Sequence, residues 1–392
     1  NKFLCQYLLK NLLIGNLKKN LIKRFKKKLQ KIFKYISYNL FFLLYGKIRK
    51  VITLKEDQRI DLKKITFEDE KFYNIYTIRQ ARLYTDTIHD TAVILDNNIV
   101  EGPSFQLRNN NNSKCNENIV FTKGTPRLQK KINGTVFSLL TGGGGNNNYW
   151  HWLFDVLPRL AILKNSIKSE KIDYFLFPNY EEKFQVESLE ILKIPLNKII
   201  SSKHYRHINT KKLITVDHPY VFKNAHLDAQ HIPKWIFNWL KKSFLKDDSI
   251  NSKDFPSKIY IDRKDSKSNH RNFRLIKNEL EVRNLLESKG FKSLCISDFH
   301  FSDQIKIFNT ATHIVGLHGS GFGNLVFSKP DTRVVEFKTE TTGEIIGNLA
   351  VNNKLKYNSI IGTTSETKAV VQQGIINIPI DLLEKKLNNI MA

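Results

Sequence analysis

The second half of the chain alternates strand-like and helix-like segments, and this alternation constrains the fold more than any other feature. Four short apolar segments typical of strands follow one another as "KIYID", "FKSLCI", "THIVGL" and "RVVEF". After the first of them, the spacing predicts a helix from Leu275 to Lys289 that ends at Gly290 as a C′ glycine. Strands that alternate with helices are joined by right-handed crossovers and form a parallel sheet covered on both faces. The sequence therefore predicts an α/β fold with ligands bound beyond the carboxyl ends of the strands.

A glycine-rich turn follows one of these strands in "VGLHGSGFGN", residues 315–324. Glycines at such a turn let the backbone approach a ligand, and the helix that follows offers unpaired N–H groups and a positive dipole end. The turn is therefore typical of a diphosphate site. It differs from the dinucleotide-binding fingerprint, because Asn324 stands where the last glycine should be. It is also no P-loop, because no Gly-Lys-Ser/Thr sequence follows.

Charged side chains are expected to gather at the same edge of the sheet. Arg263 and His318 each follow a strand, Arg271 and Arg274 lie in the loop after Arg263, and Glu336 is near the end of another strand. Arginine, histidine and a helix N-terminus suit the two charges of a diphosphate, and a carboxylate could bind ribose hydroxyls. Each arginine alone could instead be a solvated loop charge. The predicted donor-binding residues are Arg263, Arg271, Arg274, Gly316, His318, Gly319, Ser320, Gly321, Asn324 and Glu336.

The stretch "TGGGGNNNYWHWLFDVLPRL", residues 141–160, could be a linker, a phosphate-binding loop or the lip of an active site. His151, Asp155 and Arg159 recur every four residues, so they should share one face of a helix that begins near Tyr149, and Pro158 should kink or restart it. A His paired with an Asp suits a general base, although a structural cap at a domain edge is the alternative. We predict His151 and Asp155 as catalytic residues at the lip of an acceptor site. The predicted acceptor-side residues are Asn148, Trp150 and Arg159.

The N-terminal segment, residues 1–55, is basic and amphipathic. Fourteen Lys and Arg lie within residues 1–50, and the first acidic residue is Glu56. The pattern predicts a helix that lies on an anionic membrane surface, with a solvated lead-in or a helix packed on the body as alternatives. Its longest apolar stretch, Leu40 to Tyr45, is too short to span a bilayer. Because more than half of the net charge of +26 lies here, we predict no nucleic-acid binding.

The length predicts two domains after this segment, at residues 56–250 and 251–392, with the last helix packing back on the first domain as an option. The three cysteines, Cys5, Cys115 and Cys295, are far apart in sequence. Their spacing argues against a disulfide scaffold or a zinc site and is typical of a reducing compartment. We therefore expect a cytoplasmic protein.

Several motifs in order resemble glycosyltransferase family 61. The family shows an Arg after a strand, an R-x-x-x-N-E element, a Gln within a helix, a "GxHGAGxxN" turn and a closing "VVE" strand. "NNYWHWLFDVLPRLAIL" also resembles the upstream element of the family, and the resemblance covers about residues 141–340. Two small departures are Ser320, where the family usually has Ala, and Gly323. The matching positions of the R-x-x-x-N-E element and the helical Gln are Arg274, Asn278, Glu279 and Gln304.

The resemblance implies a GT-B fold, in which two Rossmann-like domains face a cleft, the C-terminal one holding a nucleotide-sugar and the N-terminal one the acceptor. It implies inverting transfer from a nucleotide-sugar, expected to be UDP-linked, to a hydroxyl of a glycan or glycolipid precursor in capsule or lipopolysaccharide synthesis. Residues 1–50 would hold such an enzyme peripherally at the inner face of the membrane. The sequence contains no Asp-x-Asp, which favours a reaction that needs no metal or other cofactor.

Two other functions remain open at this stage. A protein of this fold could bind a nucleotide or a glycan without turnover. A dinucleotide-dependent oxidoreductase is the other alternative, and the interrupted glycine fingerprint argues against it.

Overall fold

The structure, a computed structural model, describes residues 2–67, 71–87, 89–104, 115–140, 147–166, 171–221, 230–245, 255–264, 274–364 and 374–391. It confirms an α/β protein with parallel sheets and an N-terminal helix. The helices are α1 (Lys2–Tyr45), α2 (Val120–Lys123), α3 (Tyr149–His151), α4 (Pro158–Ser166), α5 (Lys183–Ile191), α6 (Lys234–Phe244), α7 (Glu279–Ser288), α8 (Phe301–Thr310), α9 (Ile345–Asn352) and α10 (Ile380–Met391).

The long helix α1 precedes the sheets and is attached to them by its C-terminal end. Phe42 lies against Gly124, where a Cβ would come within 2.7 Å of its ring. The Tyr45 hydroxyl accepts a hydrogen bond from the backbone N–H of Gln129 (3.0 Å), and the Tyr45 ring meets that of His207 edge-on. Within the described part of the chain, no helix is both long and apolar enough to cross a membrane.

The first sheet has nine strands and is mixed. The strands are β1 (Val51–Ile52), β2 (Ile60–Thr66), β3 (Phe72–Thr85), β4 (Thr91–Leu95), β5 (Asn98–Val100), β6 (Lys130–Ser138), β7 (Tyr174–Phe177), β8 (Ile199–Ser201) and β9 (His207–Val216). They are ordered β1-β5-β4-β3-β9-β6-β7-β8, and β2 pairs with β3. The four strands β9-β6-β7-β8 are parallel, whereas β3 is antiparallel to its neighbours.

The parallel part of this sheet has a topological switch point between β6 and β9. Strands β7 and β8 follow β6 to one side, and β9 returns to its other side. Crossover connections leave a crevice at such a point, beyond the carboxyl ends of the two strands. Residues that follow β6 and β9 are therefore placed at the rim of this crevice.

The second sheet is fully parallel and has the order of a doubly wound fold. Its strands are β10 (Lys258–Ile261), β12 (Lys292–Leu294), β13 (His313–Leu317), β14 (Arg333–Lys338) and β15 (Lys356–Ile361), ordered β12-β10-β13-β14-β15. The chain runs from β10 outward to β12 and then returns to β13 on the other side. The switch point between β10 and β13 lies where the predicted Arg263 and His318 follow their strands.

A third, small sheet corrects one prediction. Its strands are β11 (Arg274–Ile276), β16 (Thr363–Thr364) and β17 (Gly374–Asn377). Leu275 therefore lies in a strand paired with Ile375, and the predicted helix begins only at Glu279. The spacing of apolar residues could not separate strand β11 from the helix that follows it, because side chains of both are buried in the same core. The end of the helix was predicted correctly, since Gly290 has φ of +83°.

One hydrophobic core includes residues from both large sheets and the helices between them. Phe301 of α8 is completely buried and lies 5.0 Å, between ring centroids, from Phe244 of α6. It also contacts the rings of Phe327 and Tyr149. Because side chains from before and after residue 250 share this core, the two parts of the chain should unfold together. The predicted boundary between 56–250 and 251–392 stays a prediction.

We expect Phe301→Ala to lower the free energy of unfolding by about 3–5 kcal/mol, because it leaves a large cavity in the shared core. All four tryptophans, Trp150, Trp152, Trp235 and Trp239, precede residue 251. Their fluorescence therefore reports on the first part of the chain, and urea unfolding followed by fluorescence and by circular dichroism should give one common, shifted midpoint. Leu280→Ala, at a side chain that is 70 % exposed, is the control. A fluorescence transition left unchanged by Phe301→Ala would contradict the shared core.

Candidate active site

The first cluster of polar side chains lies on the helical segment after β6. Exposed Asn148 caps this segment, because its side-chain oxygen accepts hydrogen bonds from the backbone N–H groups of Trp150 (2.9 Å) and His151 (3.4 Å). Asparagine is among the preferred residues at such a position. The predicted acceptor-side residue Asn148 is thus also the residue that fixes the start of the helix.

A wide π-helical turn, Trp152–Val156, connects α3 to α4. The N–H of Leu157 donates to the carbonyl of Trp152, five residues earlier, at 3.0 Å. Pro158 has no N–H to continue the helical ladder, and it begins α4 as predicted. Turns of this kind are frequent at functional sites. Here the turn carries Asp155 beneath His151.

Asp155 is only 1 % exposed and is surrounded by hydrogen-bond donors. Its Oδ2 lies 2.7 Å from Nδ1 of His151, and its Oδ1 accepts a hydrogen bond from the hydroxyl of Tyr220. His218 places Nε2 3.5 Å from the same carboxylate. The Nδ1 of His218 accepts from the backbone N–H groups of Tyr220 (3.3 Å) and Val221 (3.0 Å), so its proton must be on Nε2.

The electrostatics of this cluster keep Asp155 ionised. Burial opposes the charge of Asp155, but the charges of and hydrogen bonds from His151 and His218 outweigh it and hold its pKa far below the ordinary value. Burial likewise opposes the charge of His151, yet Asp155 raises the pKa of His151 above 6.5. Burial and the nearby carboxylate raise the pKa of Tyr220 well above 10, so Tyr220 remains a donor.

The arrangement fixes the tautomer of His151. With the Nδ1 proton directed at Asp155, Nε2 is the nitrogen that can accept a proton, and the side chain is 34 % exposed. Arg159 lies deeper, 2 % exposed, and donates to the carbonyls of Asp155 (3.2 Å) and Val216 (3.2 Å). Burial lowers the pKa of Arg159 to about 10. Arg159 therefore supports the cluster from within, whereas His151 faces outward.

The second cluster lies beyond β10 and β13. The Nη1 atoms of Arg263 and Arg274 both approach the carbonyl oxygen of His318, at 3.5 Å and 2.8 Å. Gly319 allows this, because a Cβ there would lie 2.3 Å from Nη1 of Arg263. Burial, and then the charge of Arg263, lower the pKa of Arg274 to about 10. A buried guanidinium group whose charge is disfavoured by a second guanidinium group nearby is a place that an anion would stabilise.

His318 is held in the same manner as His151. Its Nδ1 is hydrogen-bonded to Oε1 of Glu336, and Oε2 of Glu336 accepts from the hydroxyl of Tyr357. Glu336 has no exposed surface, so the structure places it behind His318 and not on a surface where it could bind ribose hydroxyls. Burial and the charge of Glu336 raise the pKa of Tyr357. The hydroxyl of Tyr357 therefore stays protonated and donates its hydrogen bond to the carboxylate.

The remaining predicted donor residues divide into two groups. Gly319, Ser320 and Gly321 line a cleft of about 190 Å³ together with Arg263. Gly316 and Asn324 are packing positions instead: Gly316 lies in β13 beside Ile261, and Asn324 is completely buried. Arg271 and the glycines of "TGGGG" lie outside the described residues.

Asn324 connects the two clusters. Its Oδ1 accepts a hydrogen bond from the hydroxyl of Tyr149, and its Nδ2 donates to Oε1 of Gln304 at 3.2 Å. A Cβ on the neighbouring Gly323 would be 3.4 Å from Leu153, so the turn lies directly on the helical segment of His151. The cleft is correspondingly lined from both sides, by Asn147, Tyr149 and Phe184 as well as by Arg263 and Gly319.

Sequence reasoning missed three residues of these clusters, His218, Tyr220 and Tyr357. The sequence does contain a signal that could have identified His218 and Tyr220. "DHPY" follows β9 directly, and β9 is parallel to β6, so its carboxyl end lies at the same edge as the segment of His151. Tyr357 lies near the start of β15, where no such rule indicates a site residue.

Comparison with known proteins supports the family interpretation. Residues 149–335 match the family model described as Glycosyltransferase 61, which confirms the resemblance to glycosyltransferase family 61 and supports a glycosyltransferase activity. The matched region contains all the described predicted site residues except Asn148 and Glu336, which lie next to its two ends. No curated protein matches the chain.

We expect Arg274→Ala to weaken the binding of inorganic pyrophosphate about tenfold to a hundredfold, because one charge-assisted contact is lost. Isothermal titration calorimetry measures the change. Arg333→Ala is the matched control, since Arg333 begins β14 at the opposite edge of the same sheet. Equal losses in both variants would mean that the arginines act through net charge only and that the cluster is no anion site.

A second prediction concerns the His151–Asp155 pair. The imidazolium of His151 is stabilised by the carboxylate, so its pKa should lie above 6.5 in the native protein and fall in Asp155→Asn. Histidine side-chain NMR signals followed against pH report this pKa. Asp298→Asn, an exposed position, should leave it unchanged. A pKa of His151 that stays the same or rises in Asp155→Asn would show that the pair is not coupled.

Proposed function

Because residues 149–335 match glycosyltransferase family 61, we propose that this protein is an inverting glycosyltransferase with a GT-B arrangement of its two large sheets. It transfers a sugar from a nucleotide-sugar, UDP-linked by expectation, to a hydroxyl of a glycan or lipid-linked precursor. Synthesis of a surface polysaccharide such as capsule or lipopolysaccharide is the role we propose for it. No metal is needed in this proposal.

The donor diphosphate binds at the β10/β13 switch point. Arg263 and Arg274 converge there, and Gly319 leaves room for the guanidinium group of Arg263. Fixed positive groups at this place stabilise the charge that develops on the leaving diphosphate, which is the largest electrostatic demand of the reaction. His318, oriented by Glu336, presents its other ring nitrogen as a further polar group near the turn.

The acceptor reacts on the side of His151. Nε2 of His151 takes the proton of the acceptor hydroxyl as that oxygen attacks the anomeric carbon of the donor sugar. The bond from the anomeric carbon to the phosphate oxygen breaks, and its electron pair leaves with the nucleoside diphosphate. Asp155 stabilises the imidazolium of His151 without taking the proton itself, since its pKa lies far below the ordinary value. Attack from the face opposite the leaving group inverts the configuration.

The observation that carries this proposal is that the cleft beside Arg263 is also lined by the helical segment that carries His151. The cleft is lined by Tyr149, two residues before His151, and by Arg263 and Gly319 of the anion site. A general base on a segment that borders an anion-stabilising site matches the needs of a displacement with an anionic leaving group. A binding protein would need the anion site alone.

We expect His151→Ala to lower kcat for sugar transfer about 10²–10⁴-fold, the usual contribution of a general base. The Kd of the nucleoside diphosphate should stay within twofold, roughly, since no contact of the anion site changes. Product formation from radiolabelled nucleotide-sugars measures kcat, and calorimetry measures the Kd of the nucleoside diphosphate. His204→Ala, at an exposed histidine, should leave both unchanged. Tight nucleotide binding without any transfer or donor hydrolysis in the native protein would favour a non-catalytic binding protein.

A second experiment identifies the donor class. The rise in melting temperature, measured with EDTA present, should be larger with the nucleoside diphosphate UDP or GDP than with the monophosphate CMP, and it should disappear in Arg274→Ala. A rise that requires added divalent cation would overturn the metal-independent part of the proposal.

A further inference from the structure

Helix α1 carries an exposed apolar stripe that nothing in the described chain covers. Its apolar side chains recur every three or four residues, which places them on one face of the helix. They are between 48 % and 85 % exposed, and the comparably exposed apolar residues of the body, such as Leu128 and Val351, are scattered along the sequence. The stripe consists of Ile22, Phe25, Leu29, Ile32, Ile36, Leu40 and Leu43.

A different face of the helix is attached to the body. Phe42 and Tyr45, which are only partly exposed, contact Gly124 and His207, and Arg82 donates to the carbonyl of Tyr45 at 3.1 Å. At 100° per residue, these two side chains point about 120° or more away from the centre of the stripe. The attachment therefore holds the stripe facing away from the sheets.

The stripe is flanked by positive charge only. Seven Lys and Arg lie between Ile22 and Tyr45, and the chain contains no Asp or Glu before Glu56. Lys26 and Lys28 lie next to the stripe on its two sides, one residue after Phe25 and one before Leu29. Long lysine side chains can lay their aliphatic stems along an apolar surface while their ammonium groups remain in the polar surroundings.

We propose that α1 is a docking surface for an anionic lipid bilayer, with the stripe inserted among the acyl chains and the lysines bound to acidic headgroups. Apolar burial and electrostatic attraction act together at such an interface, and neither alone gives stable binding. Every charge of the helix has the same sign, so the complementary surface must be negative. The helix lies along the membrane and does not cross it.

A second copy of the chain fits this surface less well. If two stripes packed as a coiled coil, Lys26 and Lys28 would occupy the flanking positions on both helices, where pairs of opposite charge normally stabilise the contact. Four lysines would repel each other there. A nucleic acid would accept the lysines but would leave the apolar stripe in water.

Flotation of the full chain with vesicles tests the proposal. We expect binding to vesicles of phosphatidylcholine with phosphatidylglycerol, and at least about tenfold weaker binding to phosphatidylcholine alone. The variant Phe25→Gln/Leu29→Gln/Ile32→Gln/Ile36→Gln should bind the anionic vesicles at least about tenfold more weakly, because the apolar insertion is lost. Glutamine retains the helix propensity. The variant Lys26→Gln/Lys28→Gln, which removes the two lysines next to the stripe, should show a loss of at least about tenfold.

The control variant is Leu128→Gln/Val351→Gln, which changes two apolar side chains of similar exposure, 73 % and 65 %, elsewhere on the surface. It should bind as the native chain does. Equal binding of the stripe variant, or equal binding to neutral vesicles, would overturn the proposal. So would a dimer in sedimentation experiments without vesicles that becomes monomeric in the stripe variant, since a second copy would then be the occupant. Nucleotide binding and sugar transfer need not change in any of these variants, so the outcome is independent of the proposed enzymatic function.

Discussion

The geometry of the site depends on a close contact between two segments, the helical turns that begin at Tyr149 and the 3₁₀ helix Ser320–Phe327 that follows β13. The buried hydrogen bond from Tyr149 to Asn324 and the absence of a side chain on Gly323 let these segments touch. A polar pair in an apolar core is costly unless each partner is satisfied, and Gln304 satisfies the amide group of Asn324. This contact sets the distance between the helical segment of His151 and the turn that follows β13.

Each of the two clusters contains the same three-part arrangement. His151 is held by Asp155 and Tyr220, and His318 is held by Glu336 and Tyr357. In both, a buried carboxylate accepts from a histidine ring on one side and from a tyrosine hydroxyl on the other. A buried carboxylate is stable only when its oxygens are satisfied in this way, and the result is a histidine with one defined tautomer and orientation. The two imidazole rings are therefore positioned before any substrate arrives.

The sequence predicted what depends on local pattern. The strands "KIYID" and "RVVEF", the restart of a helix at Pro158 and the contact of His151 with Asp155 all follow from spacing within one element. The sequence could not predict which of the polar side chains are buried in the folded protein. Arg159, Asn324 and Glu336 are residue types that often bind ligands, yet here they are buried and hold neighbouring side chains and backbone in place. Tyr220, which follows β9, and Tyr357, in β15, lie 65 and 21 residues from the carboxylates that they bind, and no local periodicity indicates them.

The π-helical turn Trp152–Val156 has a consequence for the evolution of this segment. It accommodates one more residue than a regular helix of the same length would, and that surplus residue sets the rotation of His151 relative to α4. Exchange of a buried side chain here changes packing locally. Loss of a single residue would turn every side chain before it by about 100° around the helix axis. Selection should therefore tolerate altered side chains in this segment more readily than any change in its length.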